Sequence, residues 1–314
     1  MIHVRLTVPR ALVDDVAAVL IDDPCVVHVV RHRDAAFDPD GDAFSADVPK
    51  EHASVLVHQL RELDLHLQGG IILEDGGVAA DQASEEAERR ARGSSADGVV
   101  WEDVEARSGE AAELSRSFLW FMGLGTVLAT VALILDSPVL MVGAMVVGPE
   151  FGPIAAASVA LADLRGGLAW RSARALAVGL PFAVVVAFAF AWIGKVVGIG
   201  PDELSNVSQS LAVTIARPDA YSVVVAVAAG AAGLLSMTTA KSGALVGVLV
   251  SVTTLPAAAN IGLAVAYGDA DGALGSLAQL VLNVALMFAA GVLTLVLQRR
   301  GYEHRLRQEA RRER

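Results

Sequence analysis

The chain has 314 residues and a formal net charge of −11, and 54% of its residues are hydrophobic. Acidic residues are concentrated in residues 1–113, whereas residues 114–314 are rich in Gly, Ala, Val and Leu and carry more bases than acids. An acidic polar segment argues against a nucleic-acid partner. The two compositions predict a chain that is partly soluble in water and partly in lipid.

The first 77 residues predict a small cytosolic α+β domain. Ile2–Val8 alternates apolar with polar residues, which is typical of a half-buried strand. The complete order of predicted elements is strand, helix, strand, strand, helix, strand, the split βαβ order of ferredoxin-like domains. The elements after the first strand are a helix over Ala11–Ile21, strands over Cys25–Arg31 and Ala43–Val48, a helix over Lys50–Leu63 and a strand over Gly70–Glu74.

Histidine and acidic residues in this domain form no complete metal motif. The predicted turn Asp38-Pro39-Asp40-Gly41-Asp42 resembles part of a calcium loop, but Pro49 stands where such a loop needs a glutamate. His28 and His32 fall on one face of the second strand without further ligands. The single cysteine, Cys25, gives no disulfide and no metal spacing. We therefore expect no metal ion and no cofactor.

A polar linker over residues 78–113 separates this domain from the apolar part of the chain. Ala, Glu, Asp, Arg, Ser and Gly dominate it, which is typical of a flexible or partly helical tether. Ser84–Arg92 predicts a surface helix, and Gly93 ends it. Trp101–Ser117 has apolar residues at helical spacing and predicts an amphipathic helix lying against a membrane.

Residues 114–298 predict a transmembrane domain of six helices. Each candidate approaches or exceeds the ~20 residues that cross ~30 Å of hydrocarbon. A basic tail over residues 299–314 follows, either as a topology signal or as a contact for anionic lipid headgroups. The candidate spans are Leu114–Leu135, Pro138–Leu161, Ala173–Ile193, Tyr221–Met237, Ser242–Tyr267 and Gly272–Leu297.

Charge placement predicts the orientation of these spans. Met1–Arg10 lacks the pattern of a cleaved signal peptide, so we expect the first domain to stay in the cytoplasm. With that end inside, eleven Lys and Arg residues fall in the predicted inner loops and tail, and two fall in the outer loops. This asymmetry follows the positive-inside rule. It predicts a multi-pass protein of the bacterial inner membrane with both termini cytoplasmic.

The second predicted span contains a break near its middle. Gly148, Pro149, Gly152 and Pro153 fall within six residues, which a continuous helix does not tolerate. The break begins about ten residues into the span, close to the bilayer midplane. Glu150 lies inside it, and a carboxylate at that depth is a functional candidate for contact with an ion, proton or substrate. The alternative is that Glu150 caps the second half-helix.

The fifth predicted span repeats this pattern. Gly243-Ala244-Leu245-Val246 echoes Gly143-Ala144-Met145-Val146, and Thr253-Thr254-Leu255-Pro256 then interrupts the helix one turn before Asn260. Spans one to three and four to six thus predict two inverted three-span repeats with paired broken helices, as in many secondary transporters. Proline kinks without any pathway are the alternative. In the sixth span, Asn283 is a polar residue within apolar surroundings.

These segments resemble a known family of bacterial membrane proteins, called domain-of-unknown-function 389. Gly143–Ile154 is similar to the family's "GAM…PxxGPI" signature, and Gly247–Gly262 to its proline-interrupted helix. Glu203-Leu204-Ser205, Ala226–Gly233 and Leu282-Asn283 also resemble segments of that family. The family commonly has an uncharged residue where this chain has Glu150. The resemblance supports the predicted membrane architecture and implies no particular substrate.

The sequence favours a transporter or channel for an unidentified ion or small solute. The alternative is a membrane-anchored sensor or scaffold that transports nothing and whose cytosolic domain binds a ligand or partner. We find no nucleophile–base pair, metal-ligand set or phosphate loop, so we do not expect an enzyme. The expected pathway residues are Gly148, Pro149, Glu150, Gly152, Pro153, Thr253, Thr254, Pro256, Asn260 and Asn283.

Self-association is also expected. Ferredoxin-like domains have open sheet edges, which can pair with another copy. Gly230-Ala231-Ala232-Gly233 offers small residues at which helices approach closely. The partners predicted from the sequence are therefore the lipid bilayer, further copies of the chain and a small-molecule or ion substrate.

Overall fold

The computed structural model describes residues 1–75, 81–91, 99–201, 210–238 and 254–310. The chain divides into two compact units. The first holds Met1–Val104, and the second holds Glu105–Met237 with Lys241–Arg314. We refer to them as the N-terminal domain and the helical domain.

The N-terminal domain contains a four-stranded antiparallel sheet with the strand order β2-β3-β1-β4. β3 lies between β1 and β2, and β1 lies between β3 and β4, so both βαβ units are split as predicted. The element bounds are β1 Ile2–Pro9, a 3₁₀ turn Arg10–Leu12, α1 Val13–Asp22, β2 Val27–Phe37, β3 Asp40–Val48, α2 Lys50–Glu62, α3 Leu65–Gln68 and β4 Gly70–Asp75.

The hairpin between β2 and β3 is tighter than the sequence predicts. Phe37 pairs with Asp40, so the turn is confined to Asp38 and Pro39, and the last three residues of the predicted turn belong to β3. β2 also continues to Phe37, beyond its predicted end at Arg31. Pairing with β3 extends this polar strand, since cross-strand contacts decide strand length more than intrinsic preference does.

Alternating residues of β1 form the floor of the core. Ile2, Val4, Leu6 and Val8 are all buried, as their period of two predicts. Helices α1 and α2 cover the same face of the sheet, because their apolar residues recur at helical spacing. The helix residues in this core include Val13, Val16, Leu20, Ala53, Leu56 and Leu60.

Part of the predicted linker belongs to the N-terminal domain. α4 (Gln82–Arg90) packs against β2 and β3, and its Ala87 is buried. The Asp81 carboxylate caps this helix by accepting a 2.9 Å hydrogen bond from the Ser84 N–H. α5 (Trp101–Ala111) ends before the predicted limit at Ser117, and a new helix starts after Ser115, which caps it.

The helical domain contains four helices that are long and apolar enough to cross a membrane, and a bent pair that forms a fifth candidate. The predicted fifth span is described only from Thr254 onward, so the predicted total of six remains a prediction. The helices are α6 Arg116–Ile134, α7 Pro138–Val147, α8 Phe151–Ala162, α9 Gly166–Val197, α10 Ser210–Ile215, α11 Ala220–Thr238, α12 Thr254–Tyr267 and α13 Ala270–Ala310.

Side-chain sizes in this domain are distributed as lipid requires. On α9, every buried residue is Ala, Gly or Ser, and large apolar residues such as Val185 and Trp192 face outward. Such a surface would aggregate in water, whereas small residues at helix contacts suit packing in a bilayer. Exposed large residues include Trp120, Val185, Val224, Val281 and Leu293.

Glycines allow two of these helix contacts. A Cβ on Gly262 of α12 would lie 2.5 Å from the Val184 carbonyl oxygen of α9, so the two backbones touch there. A Cβ on Gly230 of α11 would lie 2.5 Å from the Met287 carbonyl oxygen of α13. The Gly/Ala stretch singled out from the sequence is therefore a helix-packing face within this chain.

Candidate functional site

The second predicted span is broken as the sequence predicts, but over fewer residues. α7 ends at Val147, α8 begins at Phe151, and the two helices are bent by 51°. Gly148 adopts an extended conformation, with φ −68° and ψ 130°. Gly152 and Pro153 lie in the first turn of α8. Backbone N–H groups in a first turn have no acceptor within the helix, so a proline there costs no hydrogen bond. These two residues were predicted to be unwound, and that prediction is wrong.

Glu150 lies in the break and is 1% exposed. It precedes α8, but its side chain makes no capping hydrogen bond to that helix, so the predicted capping of α8 is wrong. The Thr254 hydroxyl donates a hydrogen bond of 3.1 Å to its Oε1 instead. Its Oε2 has no hydrogen-bond partner among the residues that the structure describes. A buried carboxylate oxygen without a donor is costly, which marks this atom as a candidate contact for a substrate.

Gly148 provides the space in which this carboxylate lies. A Cβ at position 148 would overlap the Glu150 Oε2 atom and come within 2.8 Å of Leu255 Cδ2. Gly125 of α6 packs against the same place, since a Cβ there would lie 3.0 Å from Leu255 Cδ2 and 3.3 Å from the Gly148 nitrogen. Gly148 therefore lies directly against the carboxylate, and Gly125 and Leu255 pack around Gly148.

Thr254 occupies the first position of α12, and Leu255 and Pro256 follow in its first turn. All three are buried. The predicted interruption over 253–256 is therefore helical from Thr254 onward, within the residues that the structure describes. Thr253, Lys241 and the Gly243–Val246 echo lie outside the described residues. The hydrogen bond between Glu150 and Thr254 joins the break in one predicted repeat to this helix start in the other.

Asn260 and Asn283, also predicted for the pathway, are bonded elsewhere. Asn260 Nδ2 donates to the Ser276 Oγ atom at 2.7 Å and to the Ala212 carbonyl oxygen at 3.3 Å. Asn283 Oδ1 accepts a 3.1 Å hydrogen bond from Gln279 Nε2. Asn260 also borders a cavity of about 220 Å³. The other residues that line this cavity are Ala212, Val213, Ala216, Arg217, Ala264, Asp269, Asp271 and Gly272.

Two buried polar residues of α13 were not among the predicted site residues. Ser276 and Gln279 are three residues apart, Gln279 and Asn283 are four apart, and all three side chains are buried. Residues at that spacing lie on one helix face. The pattern was therefore readable from the sequence as a polar stripe on the sixth span.

The acidic turn of the N-terminal domain is neutralised by arginines. Arg10 pairs with Asp40 at 3.0 Å, and the Arg31 Nε atom contacts the Asp42 carboxylate at 2.6 Å. Hydrogen bonds donated by the Asp34 backbone N–H and by the Arg31 side chain hold the pKa of Asp42 below its ordinary value. These carboxylates stabilise the hairpin through protein donors.

A second polar cluster contains His28. Its Nδ1 lies 2.8 Å from an Asp47 oxygen and its Nε2 lies 3.3 Å from an Asp81 oxygen. The hydrogen bond with Asp47 raises the pKa of His28 despite partial burial, and the Asp81 charge adds to this. This histidine therefore joins the sheet to the start of α4 through ionic contacts.

Asp23, Cys25 and His52 form a third cluster, which the sequence did not reveal. One ligand atom from each of these side chains lies within 4.8 Å of the others. The His52 Nε2 and Asp23 Oδ2 atoms are 2.7 Å apart. Burial acts to raise the pKa of Asp23, but the His52 hydrogen bond and charge and the Cys25 N–H outweigh it, so this pKa is lowered.

These features define a multi-pass helical membrane protein. Its apolar helices expose large side chains, bury small ones, and include a broken span with a buried carboxylate.

Comparison with known families agrees with this class. Residues 145–289 match the family described as "Domain of unknown function (DUF389)". The resemblance predicted from the sequence is confirmed over that segment, which contains Glu150, Thr254, Asn260 and Asn283. The chain is 25% identical over 186 residues to the uncharacterized protein MJ0678 of Methanocaldococcus jannaschii. That similarity covers 59% of this chain and 55% of the relative. No solved structure matches the chain.

Proposed function

We propose that this protein is a transporter or channel for an ion or small solute, and that the substrate contacts Glu150. The single observation that carries the proposal is the Glu150 carboxylate, which is 1% exposed and has one oxygen without a hydrogen-bond donor among the described residues. Ionisable groups buried in apolar helices are costly, and where they occur they commonly belong to ion, proton or substrate pathways.

The chemistry of the carboxylate favours a proton or a small cation. A carboxylate accepts hydrogen bonds and coordinates hard cations through oxygen. The Thr254 hydroxyl, which donates to Oε1, fixes one oxygen and leaves Oε2 beside Gly148. An ion that reached Oε2 would meet an oriented ligand, and non-helical backbone within a membrane is tolerated where it is buried in protein or lines a pathway.

The break also supports the inverted-repeat architecture as part of the proposal. In transporters of that kind, discontinuous helices from two repeats meet at the midplane and form the substrate site. Here α7 and α8 meet the N-terminus of α12 at the Glu150–Thr254 contact. We further propose that both termini are cytoplasmic, in the inner membrane of a bacterium, and that the chain assembles as a homo-oligomer.

Flux measurements in proteoliposomes test the transport function. Purified protein would be reconstituted into vesicles that contain pH-sensitive or cation-sensitive dyes, and uptake of H⁺, Na⁺ and K⁺ would be compared. We expect uptake of at least one ion, and we expect Glu150→Gln to abolish it because the amide cannot carry the charge. Ser172→Ala is the matched control, because Ser172 is buried but bonds to the Leu168 carbonyl of its own helix.

The two outcomes separate the proposal from its alternative. Flux that is equal in wild type and in Glu150→Gln would remove Glu150 from the pathway. Absence of flux for every tested ion and small solute would favour the sensor or scaffold function, in which the helices only anchor the N-terminal domain.

A further inference from the structure

The loop after α1 and the first turn of α2 bring three possible metal ligands together in the N-terminal domain. Asp23 directly follows α1 and Cys25 follows two residues later, while His52 is the third residue of α2. One ligand atom from each side chain lies within 4.8 Å of the other two. Local sequence spacing does not bring them together, because packing of α1 beside α2 creates the cluster.

The cluster is sheltered from water, unlike an acidic patch on a surface. The side chains of Asp23 and His52 are 7% and 16% exposed, and Cys25 is buried. Asp23 and His52 already bond to each other at this point. A thiolate sulfur, an imidazole nitrogen and a carboxylate oxygen are all metal ligands, so a cation would find three ligand types close together.

We propose that Asp23, Cys25 and His52 bind one Zn²⁺ ion. Zinc takes sulfur, nitrogen and oxygen ligands in tetrahedral geometry, and a site with three protein ligands leaves a fourth position for water or a partner. Harder cations such as Mg²⁺ and Ca²⁺ prefer oxygen ligands alone, so the thiol and the imidazole argue against them.

The distances between the ligand atoms fit a zinc ion after a small adjustment. Ligands at ~2.0–2.3 Å from a tetrahedral zinc ion are roughly 3.3–3.5 Å apart. The His52 and Asp23 atoms, at 2.7 Å, would have to separate by less than an ångström. Asp23 is already oriented by a second interaction, because its Oδ1 accepts a 2.9 Å hydrogen bond from the Cys25 N–H. Such outer bonds fix the direction in which a ligand atom points.

Cobalt substitution tests the site in the full-length protein. The chain would be purified in detergent with an affinity tag that contains no histidine, treated with a chelator and titrated with Co²⁺. Cys25 is the only cysteine in the sequence, so a thiolate-to-cobalt charge-transfer band in the near ultraviolet can only come from this residue. We expect such a band at one Co²⁺ per chain, and we expect Zn²⁺ to displace it because zinc binds more tightly than cobalt.

Variants show whether all three ligands take part. Cys25→Ser should lose the band, and Asp23→Asn and His52→Gln should each weaken Co²⁺ binding by roughly tenfold or more. His58→Ala is the matched control, because His58 lies on the exposed face of α2 and pairs only weakly with Glu62 at 3.5 Å. Hydrogen exchange over the β1 and β3 peptides would verify that each variant is folded.

The proposal fails if the wild-type chain gives no band. It also fails if Asp23→Asn and His52→Gln bind Co²⁺ as tightly as the wild type while their exchange patterns stay native. This test does not depend on transport, so its failure would leave the proposed role of Glu150 untouched.

Discussion

The Thr254 hydroxyl donates a hydrogen bond of 3.1 Å to the Glu150 carboxylate across 104 positions of the chain. Both side chains are buried, at 0% and 1% exposed. The contact ties the break between α7 and α8 to the first turn of α12. The position of the proposed substrate ligand therefore depends on a helix from the other end of the domain.

Thr254→Val should destabilise the protein. Valine has nearly the same shape but cannot donate, so the Glu150 Oε1 atom loses its hydrogen bond at a cost of about 1–3 kcal/mol. The melting temperature in detergent should fall, and Thr254→Ser should restore it. Thr126→Val is the control, because the buried Thr126 hydroxyl bonds only to the Met122 carbonyl of its own helix. Equal melting temperatures for both valine variants would contradict the inferred contact.

Gly148→Ala should be destabilising by about 1–3 kcal/mol, because the added methyl group overlaps Glu150 Oε2 and crowds Leu255 Cδ2. Gly143→Ala should be neutral or stabilising by up to about 1 kcal/mol, since it lies inside α7 with nothing within 4 Å of the new Cβ. Both variants would be compared by thermal unfolding in the same detergent. A tolerated alanine at 148 would mean that the carboxylate does not occupy this space.

The Asn260 side chain should couple α12 to α13. Asn260→Leu and Ser276→Ala each remove one partner of the 2.7 Å hydrogen bond, and each should cost about 1–2 kcal/mol. The double variant should be less destabilised than the sum, with a coupling energy of about 0.5–3 kcal/mol. Additive effects in the thermal unfolding of the four proteins would argue against a direct bond.

The N-terminal domain should lose stability at His28 as pH rises above about 6.5. Because contact with Asp47 raises its folded pKa, the stabilisation is complete below the unfolded value of about 6.5 and is lost as pH rises through the folded pKa. The pair is partly exposed, so the loss should be about 0.5 kcal/mol, or roughly twofold in exchange protection over β2 and β3. His28→Gln should abolish this component.

At acidic pH, the stability contribution of Asp47 depends on pH with the opposite sign. Burial acts to raise the pKa of Asp47, but the hydrogen bonds with His3 and His28 outweigh burial, so the pKa of Asp47 is lowered. Its contribution is therefore present above the unfolded pKa of about 3.9 and is lost as pH falls through the folded value.

Single-cysteine labelling tests the proposed orientation. In a Cys25→Ala background, Leu164→Cys places a thiol in the loop after α8, and Ile199→Cys places one in the loop after α9. The native side chains are 87% and 84% exposed. We expect a membrane-impermeant maleimide to label position 199 on intact cells and position 164 only after permeabilisation. The reverse pattern would invert the topology.

Local signals in the sequence predicted much of the fold. The alternation of β1, the split βαβ order and the Gly148-Pro149 break all follow from short-range rules on periodicity and backbone hydrogen bonding. Those same rules overestimated the first break, because Pro153 reads as a helix breaker although it lies in the first turn of α8, where proline is tolerated. Whether a proline breaks a helix depends on its distance from the first residue of that helix, and the prolines alone do not reveal where the helix starts.

Long-range contacts were not readable from the sequence. Asp23 follows α1 and His52 lies in α2, so the two meet only because these helices pack beside each other on one face of the sheet. The Glu150–Thr254 bond has the same origin, although both residues were separately predicted for the pathway. Chemistry that depends on residues brought together by packing leaves no spacing for a motif search to detect.

The charged residues of α9 have a consequence for the membrane that surrounds it. Arg174 and Lys195 enclose twenty residues without a charge, which is about 30 Å of helix. That length equals the thickness of a typical acyl-chain layer, so α9 can stand nearly upright with one cation at each phosphate plane. In bilayers of shorter or longer fatty acids, this helix would have to tilt or its two cations would have to bend toward the headgroups, each at an energetic cost.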